Sequence, residues 1–353
     1  MANTLRPEEV VTLAHFGEPI ANHDLQGIDL SRAPLRGGVF SQVRLAEANL
    51  SNADLREAFF DQCDLSGCVL QTAKLRGAVF NHCTLDGIQA LASSWHAAKL
   101  VESSAHDARL AGADFSLAVM HRCTLDGADL DGAKIDRTTF VECSLLRATL
   151  RHVAWWQVTM SACAMQGADL SGSSFDGVVF HQVGLDRRSF SAQRIVGCQF
   201  PESTLTGTDF SRCELRQSNF QNCVLEGSSF VGAKGELCLF ANAKMKGCDL
   251  ASAGLRQALF TQGDFDGCRF DGADLYQTHF ADARLVRCSL RGAELTYADF
   301  SRAQLIECDF EDARVVRTKL HRTDMRGSRM PDLAPALPTD PVQARAEAWP
   351  AAA

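Results

Sequence analysis

The sequence predicts an all-β solenoid, a quadrilateral β-helix of about fifteen to sixteen coils, and three observations predict it. First, every fifth residue from Ile20 to Met330 is apolar, in one unbroken frame of 63 sites. Only Ala90, Ala105 and Gly235 among them lack a large apolar side chain. No helix or flat sheet repeats every five residues, so the period belongs to a solenoid of five-residue edges. Second, the position two residues before each of these centres is small: Ala33, Ala48, Ala53, Ala58, Cys63, Cys68, Ala73, Ala78 and Cys83 are typical. Small-in, polar-out, large-in follows strand alternation, and the remaining two residues turn the corner. Third, Phe stands at 40, 60, 80, 140, 180, 200, 220, 240, 260, 280 and 300. A residue and its copy twenty positions on therefore share an environment, which makes four edges one coil.

Each segment is justified in turn. Residues 1–19 precede the frame and are expected to cap it. Pro7-Glu8-Glu9, then Val10, Val11, Leu13 and Phe16, then Gly17, combine a first-turn proline, first-turn acids and a terminating glycine, the signals of a short helix. A cap is needed because an open solenoid end exposes core and strand edges. Residues 20–330 hold the frame without a linker and are read as one repeat domain. Gly recurs at the second corner position (Gly27, Gly67, Gly87, Gly127, Gly167), where the chain must bend. Two stretches weaken the pattern: 88–105, with Ala90, Trp95 and Ala105 at centres, and 183–195, with Arg188 and Gln193 at inward sites. An unpaired buried Arg is costly, so a bulge or distorted corner is expected to carry Arg188 to solvent. Residues 331–353 hold five of the nine prolines and cannot extend the coil. Pro341 to Trp349 is expected either to form a brief helix over the last coil or to be disordered with the rest of the tail.

Units such as Ala128-Asp129-Leu130-Asp131-Gly132, Ala168-Asp169-Leu170-Ser171-Gly172 and Ala273-Asp274-Leu275-Tyr276-Gln277 resemble the pentapeptide-repeat family. The resemblance covers about residues 20–330. It implies a right-handed quadrilateral β-helix with centre and small residue both pointing inward, and a bacterial source.

All fourteen cysteines, at 63, 68, 83, 123, 143, 163, 198, 213, 223, 238, 248, 268, 288 and 308, fall in the small inward column. Packing therefore sets their role, and free Cys behaves as a small buried hydrophobe. So many reduced thiols suit a cytoplasmic protein. The start of the chain lacks a signal peptide's apolar stretch, and no apolar run approaches the twenty residues of a membrane span. The ten histidines show no metal-ligand spacing. The sequence carries no phosphate-binding loop, dinucleotide fingerprint, nucleophile elbow or HExxH motif. The expectation is a non-enzymatic protein with no cofactor, no metal and no catalytic residue.

What remains is surface. Outward apolar residues precede the Phe positions: Val39, Phe59, Val79, Val119, Val179, Leu239 and Leu259. They form a candidate docking strip for another protein or for a second copy of the chain in a homodimer. A second face repeats Arg36, Arg56 and Arg76, and a third carries Asp129, Asp169, Asp209, Asp249 and Asp309. The net charge of −8 and the aromatic residues placed at centres argue against direct nucleic-acid binding. The first expectation is a protein–protein interaction scaffold or adaptor. The resemblance extends it to an accessory of a bacterial secretion system such as type VI. The alternative it implies is a DNA mimic that binds DNA gyrase or topoisomerase IV, as the quinolone-resistance branch does. Against that alternative, the acidic face is interrupted by Arg151, Arg212, Arg269 and Arg291.

Overall fold

The structure, a computed structural model, describes residues 5–348. The chain divides into two compact units, Met1–Gly184 and Leu185–Ala353. The five-residue frame runs through both and marks no boundary between them.

The first unit opens with helix α1, Pro7–Phe16. Its start is closed by the Arg6 backbone N–H, which donates to Glu9 Oε2 at 2.8 Å. Its end is closed by Gly17 in the left-handed region at φ 68°. Val10 and Ala14 are its buried residues. Ala14 rests over Gly38, where an added Cβ would stand 3.3 Å from the Ala14 Cβ and 3.0 Å from the Phe40 ring. The cap thus depends on a glycine in the small inward column.

Beyond α1, one nine-stranded parallel sheet stacks Ile20–Ala21, Val39–Ser41, Phe59–Asp61, Val79–Asn81, Lys99–Val101, Val119–His121, Thr139–Val141, Thr159–Ser161 and Val179–His181. The register is a constant twenty: Phe40 pairs with Phe60, Phe60 with Phe80, and Phe140 with Met160. The other edges pair through single parallel bridges in the same register, such as Asp24 with Arg44 and Arg44 with Asp64. Backbone groups are satisfied between coils: the Arg44 N–H donates to His23 O at 3.0 Å and the Leu45 N–H to Asp64 O at 2.6 Å. The corner column adopts positive φ whether or not it is glycine, as at Gly27 (68°), Asn22 (57°) and Gln42 (53°). Interchain-like bonds between coils hold these corners, for example the Gln42 N–H to Asp61 O at 2.8 Å.

Phe40, Phe60 and Phe80 stack with centroids 4.7 and 4.8 Å apart and planes within 7°. The weak stretch 88–105 keeps its regular backbone, with Gln89 paired to Arg109 and Ser94 to Asp114. Size is redistributed instead. Ile88 in the small column and Trp95 at a centre are both buried and compensate for Ala90 and Ala105. The Trp95 Nε1 donates to Ser93 Oγ at 2.7 Å, which in turn donates to Ala90 O. A void of about 10 Å³ remains among Leu85, Ile88, Trp95, Ala105 and their neighbours.

The second unit repeats the plan with a different filling. One edge column pairs Ser189, Asp209, Ser229, Asp249, Arg269, Ser289, Asp309 and Arg329 in series. Three longer strands, Asp264–Asp266, Arg284–Val286 and Gln304–Ile306, make a second parallel ladder. Phe200, Phe220, Phe240, Phe260, Phe280 and Phe300 form one stack with centroids 4.6–5.0 Å apart. Phe190, Phe210 and Phe230 form another, and the two meet edge to face, as at Phe230–Phe240 with an interplanar angle of 88°. The missing centre at Gly235 is filled by Leu255, whose Cδ2 would lie 2.8 Å from an added Cβ.

The expected bulge at Arg188 does not form. Arg187 takes the ordinary corner conformation at φ 55°, and the Asp209 N–H donates to Arg188 O at 2.8 Å as the register requires. The side chain stays half-buried, and burial lowers its pKa below the usual guanidinium range. The long aliphatic stem of Arg lets it occupy a partly inward position without breaking the coil.

The tail is ordered through the described residues. Leu337 pairs with Lys319, exchanging bonds with Thr318 O at 2.8 Å and the Leu320 N–H at 2.9 Å. Helix α2, Pro341–Glu347, follows, with Asp340 as a side-chain N-cap. Buried His321 holds the tail at both ring nitrogens: Nδ1 accepts from the Asp340 N–H at 3.1 Å, and Nε2 lies 3.1 Å from Glu347 Oε2. Trp349, the expected helix end, lies outside the described residues.

Candidate functional site

The fourteen thiols come first, because all of them share one column of the coil. None is in a disulfide and all are buried. Their geometry is common to the column rather than to cysteine. Cys68, Cys213, Cys223 and Cys248 place Sγ 2.7–3.1 Å from the carbonyl oxygen 23 residues earlier. Thr138, Ser173, Ser218 and Ser228 donate to the equivalent carbonyl at 2.7–2.9 Å. Where it is Cys, Ser or Thr, the small inward side chain therefore ties its coil to the centre residue of the previous one. Burial pushes the thiols of Cys68, Cys213, Cys223 and Cys238 up to about 12, away from the reactive thiolate. Among the described residues no group of three or more His, Cys, Asp and Glu is arranged to hold a metal ion.

The aspartate column belongs to the corners. Asp129, Asp169, Asp209, Asp249 and Asp309 each accept the backbone N–H two residues on, at 2.9–3.1 Å. This Asx turn closes the corner that follows each centre. The N–H of Ser171 and of Glu311 hold the Asp169 and Asp309 carboxyls below the usual carboxylate range. Basic residues in neighbouring coils pair with three of these groups: Arg269 with Asp249, Arg291 with Asp309 at 2.7 Å, and Arg151 with Asp169 at 3.9 Å. The column is a structural series in which Asp169, Asp249 and Asp309 also meet an arginine.

Two residues of the arginine face are ion-paired. Arg36 pairs with Glu57 at 2.8 Å and Arg56 with Asp54 at 2.5 Å. Arg76 contributes its carbonyl to the corner bond from the Glu57 N–H at 2.9 Å.

The apolar strip is resolved into separate pieces. Val39, Phe59 and Val79 are direct neighbours in register, one coil apart. Lys99 follows, then Val119, then Thr139 and Thr159, then Val179. Phe59 is 37% and Val119 38% exposed, although both stand on strands. In the second unit Leu239 and Leu259 are adjacent rungs between Asn219 and His279. The strip is thus a three-layer apolar patch, two isolated valines and a separate leucine pair.

The sequence expectation for an apolar surface rested on the residue before each centre and missed the apolar residues that follow it. Leu117 is an exposed corner residue and Trp156 an exposed strand end of the first unit, with the Arg137 guanidinium 5.3 Å from the Trp156 ring. In the second unit the only two tyrosines of the chain, Tyr276 and Tyr297, meet at 5.8 Å beside exposed Leu237. The pairing of the two tyrosines, 21 residues apart, was available from the twenty-residue period.

Family comparison matches this chain to pentapeptide repeats in eight copies between residues 24 and 330, with a pentapeptide repeat region over 173–250. The chain belongs to the pentapeptide-repeat family, and both units are β-solenoids of that kind. Among solved structures it is similar to full-length QnrB1, a plasmid-mediated fluoroquinolone resistance protein. Identity is 18% and the TM-score 0.31, over 60% of this chain and 92% of that one. It is also similar to HetL, involved in heterocyst differentiation regulation in Nostoc sp. strain PCC 7120, at 20% identity and TM-score 0.18, over 93% and 98%. A pentapeptide repeat protein of the Arabidopsis thaliana thylakoid lumen matches at 22% identity and TM-score 0.18, over 40% and 66%. No curated protein matches. No helix among the described residues is long and apolar enough to cross a membrane.

Proposed function

We propose that this protein is a non-enzymatic scaffold that presents the outward Val39–Phe59–Val79 patch, with Val119 on the same register column, to a protein partner. The observation that supports the reading is the exposure of Phe59 on a rung of the parallel ladder directly between Val39 and Val79. An exposed aromatic on a rigid rung is favourable for binding, because little side-chain entropy is lost on contact. An adaptor role beside a bacterial secretion apparatus such as type VI is the finer form of this reading, with the cytoplasm as its compartment. The test is affinity purification from the native host of the wild type and of Val79→Asp/Val119→Asp, followed by mass spectrometry. Loss of a specific partner in the variant supports the patch, and an unchanged partner set contradicts it.

A second reading, a DNA mimic acting on gyrase or topoisomerase IV, is favoured by one observation. The first unit carries 21 acidic against 14 basic residues, a net charge of −7. Against it stand the pairing of Asp249 and Asp309 with Arg269 and Arg291, and the arginine face that holds Arg36 and Arg56. A supercoiling assay separates the readings: protection or inhibition of gyrase at micromolar protein supports mimicry, and no effect supports the scaffold.

A further inference from the structure

A coil surface is convex, so a depression on it is worth explaining. In the second unit Leu237, Leu259, Gln257, Gln277, His279 and Tyr297 line an open trough of about 380 Å³. Leu237 and Tyr297 are 42% and 43% exposed. The adjoining Tyr276 packs edge-on against Tyr297. From these residues we propose that the trough docks an extended peptide segment in which an apolar side chain stands next to an acidic residue.

Three features specify that occupant. The floor is apolar and aromatic, with leucine and tyrosine on rigid rungs, so it offers contact area at little entropic cost. The amide ladder sets the form of the ligand. Gln257 Nε2 donates to Gln277 Oε1 at 3.0 Å, which leaves the Gln257 oxygen as an acceptor and the Gln277 amide N–H as a donor. The two stand on adjacent coils, about 4.8 Å apart, a spacing suited to the C=O and N–H of one extended backbone. The charge at the rim sets its sign. Asp274 is engaged by Arg256 at 3.2 Å and Asp299 by Lys319 at 3.5 Å. Arg317 lies over the Tyr297 ring at 6.0 Å and has no carboxylate within ion-pair distance among the described residues. An acidic residue of the peptide pairs with Arg317 while its apolar neighbour fills the trough.

This inference rests on the scaffold reading only in that the occupant is a protein segment; its surface is in the other unit. The test uses the full chain as bait for a phage-displayed library of random 12-residue peptides. Selected peptides are synthesised and titrated against wild type, Arg317→Glu, Tyr297→Ala and Val79→Asp/Val119→Asp. Tyr297 and Arg317 are exposed, so these variants are expected to keep the wild-type melting temperature. The expected result is enrichment of Phe, Tyr, Trp or Leu within three residues of Asp or Glu. Binding then weakens at least tenfold in Arg317→Glu and in Tyr297→Ala, and is unchanged in Val79→Asp/Val119→Asp. Absence of enrichment, or equal binding by Arg317→Glu and wild type, overturns the proposal. Peptides that lose binding only in Val79→Asp/Val119→Asp overturn it while supporting the first-unit patch, which keeps the two failures distinct.

Discussion

The two units obey one packing rule and fill it differently. In the first, Phe40, Phe60 and Phe80 stack, but the column then passes to Leu100 and Met120, and a Trp repairs two small centres. In the second, six phenylalanines stack without a break and a second Phe series meets them edge-on. Outside, the contrast is in charge: −7 for the first unit against 22 acidic and 21 basic residues, or −1, for the second. The difference teaches that the repeat specifies inward volume per coil, not particular side chains, and leaves the outward chemistry free. Function is therefore written in the columns that the period does not constrain.

The comparison breaks first at the aromatic stack. Phe240→Ala removes a ring held on both faces and is expected to cost about 3–5 kcal/mol, read by chemical denaturation. Trp95→Phe in the first unit removes the Nε1 bond to Ser93 in a region that already tolerates a void, and is expected to cost less. A larger loss there than at Phe240 would contradict the contrast.

The two kinds of frame exception sharpen it. Gly235→Leu drives a side chain into space already held by Leu255 and is expected to destabilise by about 1–3 kcal/mol. Ala105→Val borders the residual void and is expected to change stability by less than about 1 kcal/mol. Equal losses would show that the small centres are equivalent after all.

The thiols test what the units share. Ellman's reagent is expected to label none of the fourteen cysteines in the native protein and all of them after denaturation, since burial holds isolated thiols near 12. Cys223→Ser retains a donor to Phe200 O, as Ser218 does to Ile195 O, and is expected to fold. Rapid native labelling would contradict the structural role.

The smallest effect concerns acid. The Asp169 and Asp309 carboxyls have folded pKa values below their unfolded ones, so their contribution is present above about pH 4 and is lost as pH falls through the folded values. Asp169→Asn keeps an acceptor for the Ser171 N–H and is expected to flatten the acid limb of the stability profile with little change at pH 7. An unchanged acid limb would remove the corner bond as its cause.

Much of this was legible in the sequence. The frame, the inward cysteines and helix α1 all follow from spacing and terminal signals. Other features were not. The aspartate column reads as an acidic face because the bond that the Ser171 N–H donates to Asp169 leaves no mark beyond the Asp itself. Ion pairs such as Arg36–Glu57 join residues 21 apart and emerge only once register is fixed. Arg188 reads as a defect because its type suggests solvent, whereas its stem accommodates the coil. The boundary after Gly184 leaves no trace in a frame that continues through it.

The central claim is that inward columns make the fold and the outward apolar patch of the first unit makes the contact. Hydroxyl-radical footprinting of the protein with its purified partner tests it directly, because Phe59 in one unit and Tyr276 and Tyr297 in the other are oxidisable reporters. The account predicts that the partner protects Phe59 and its neighbours Val39 and Val79. Unchanged oxidation of Phe59 in a saturated complex would contradict it.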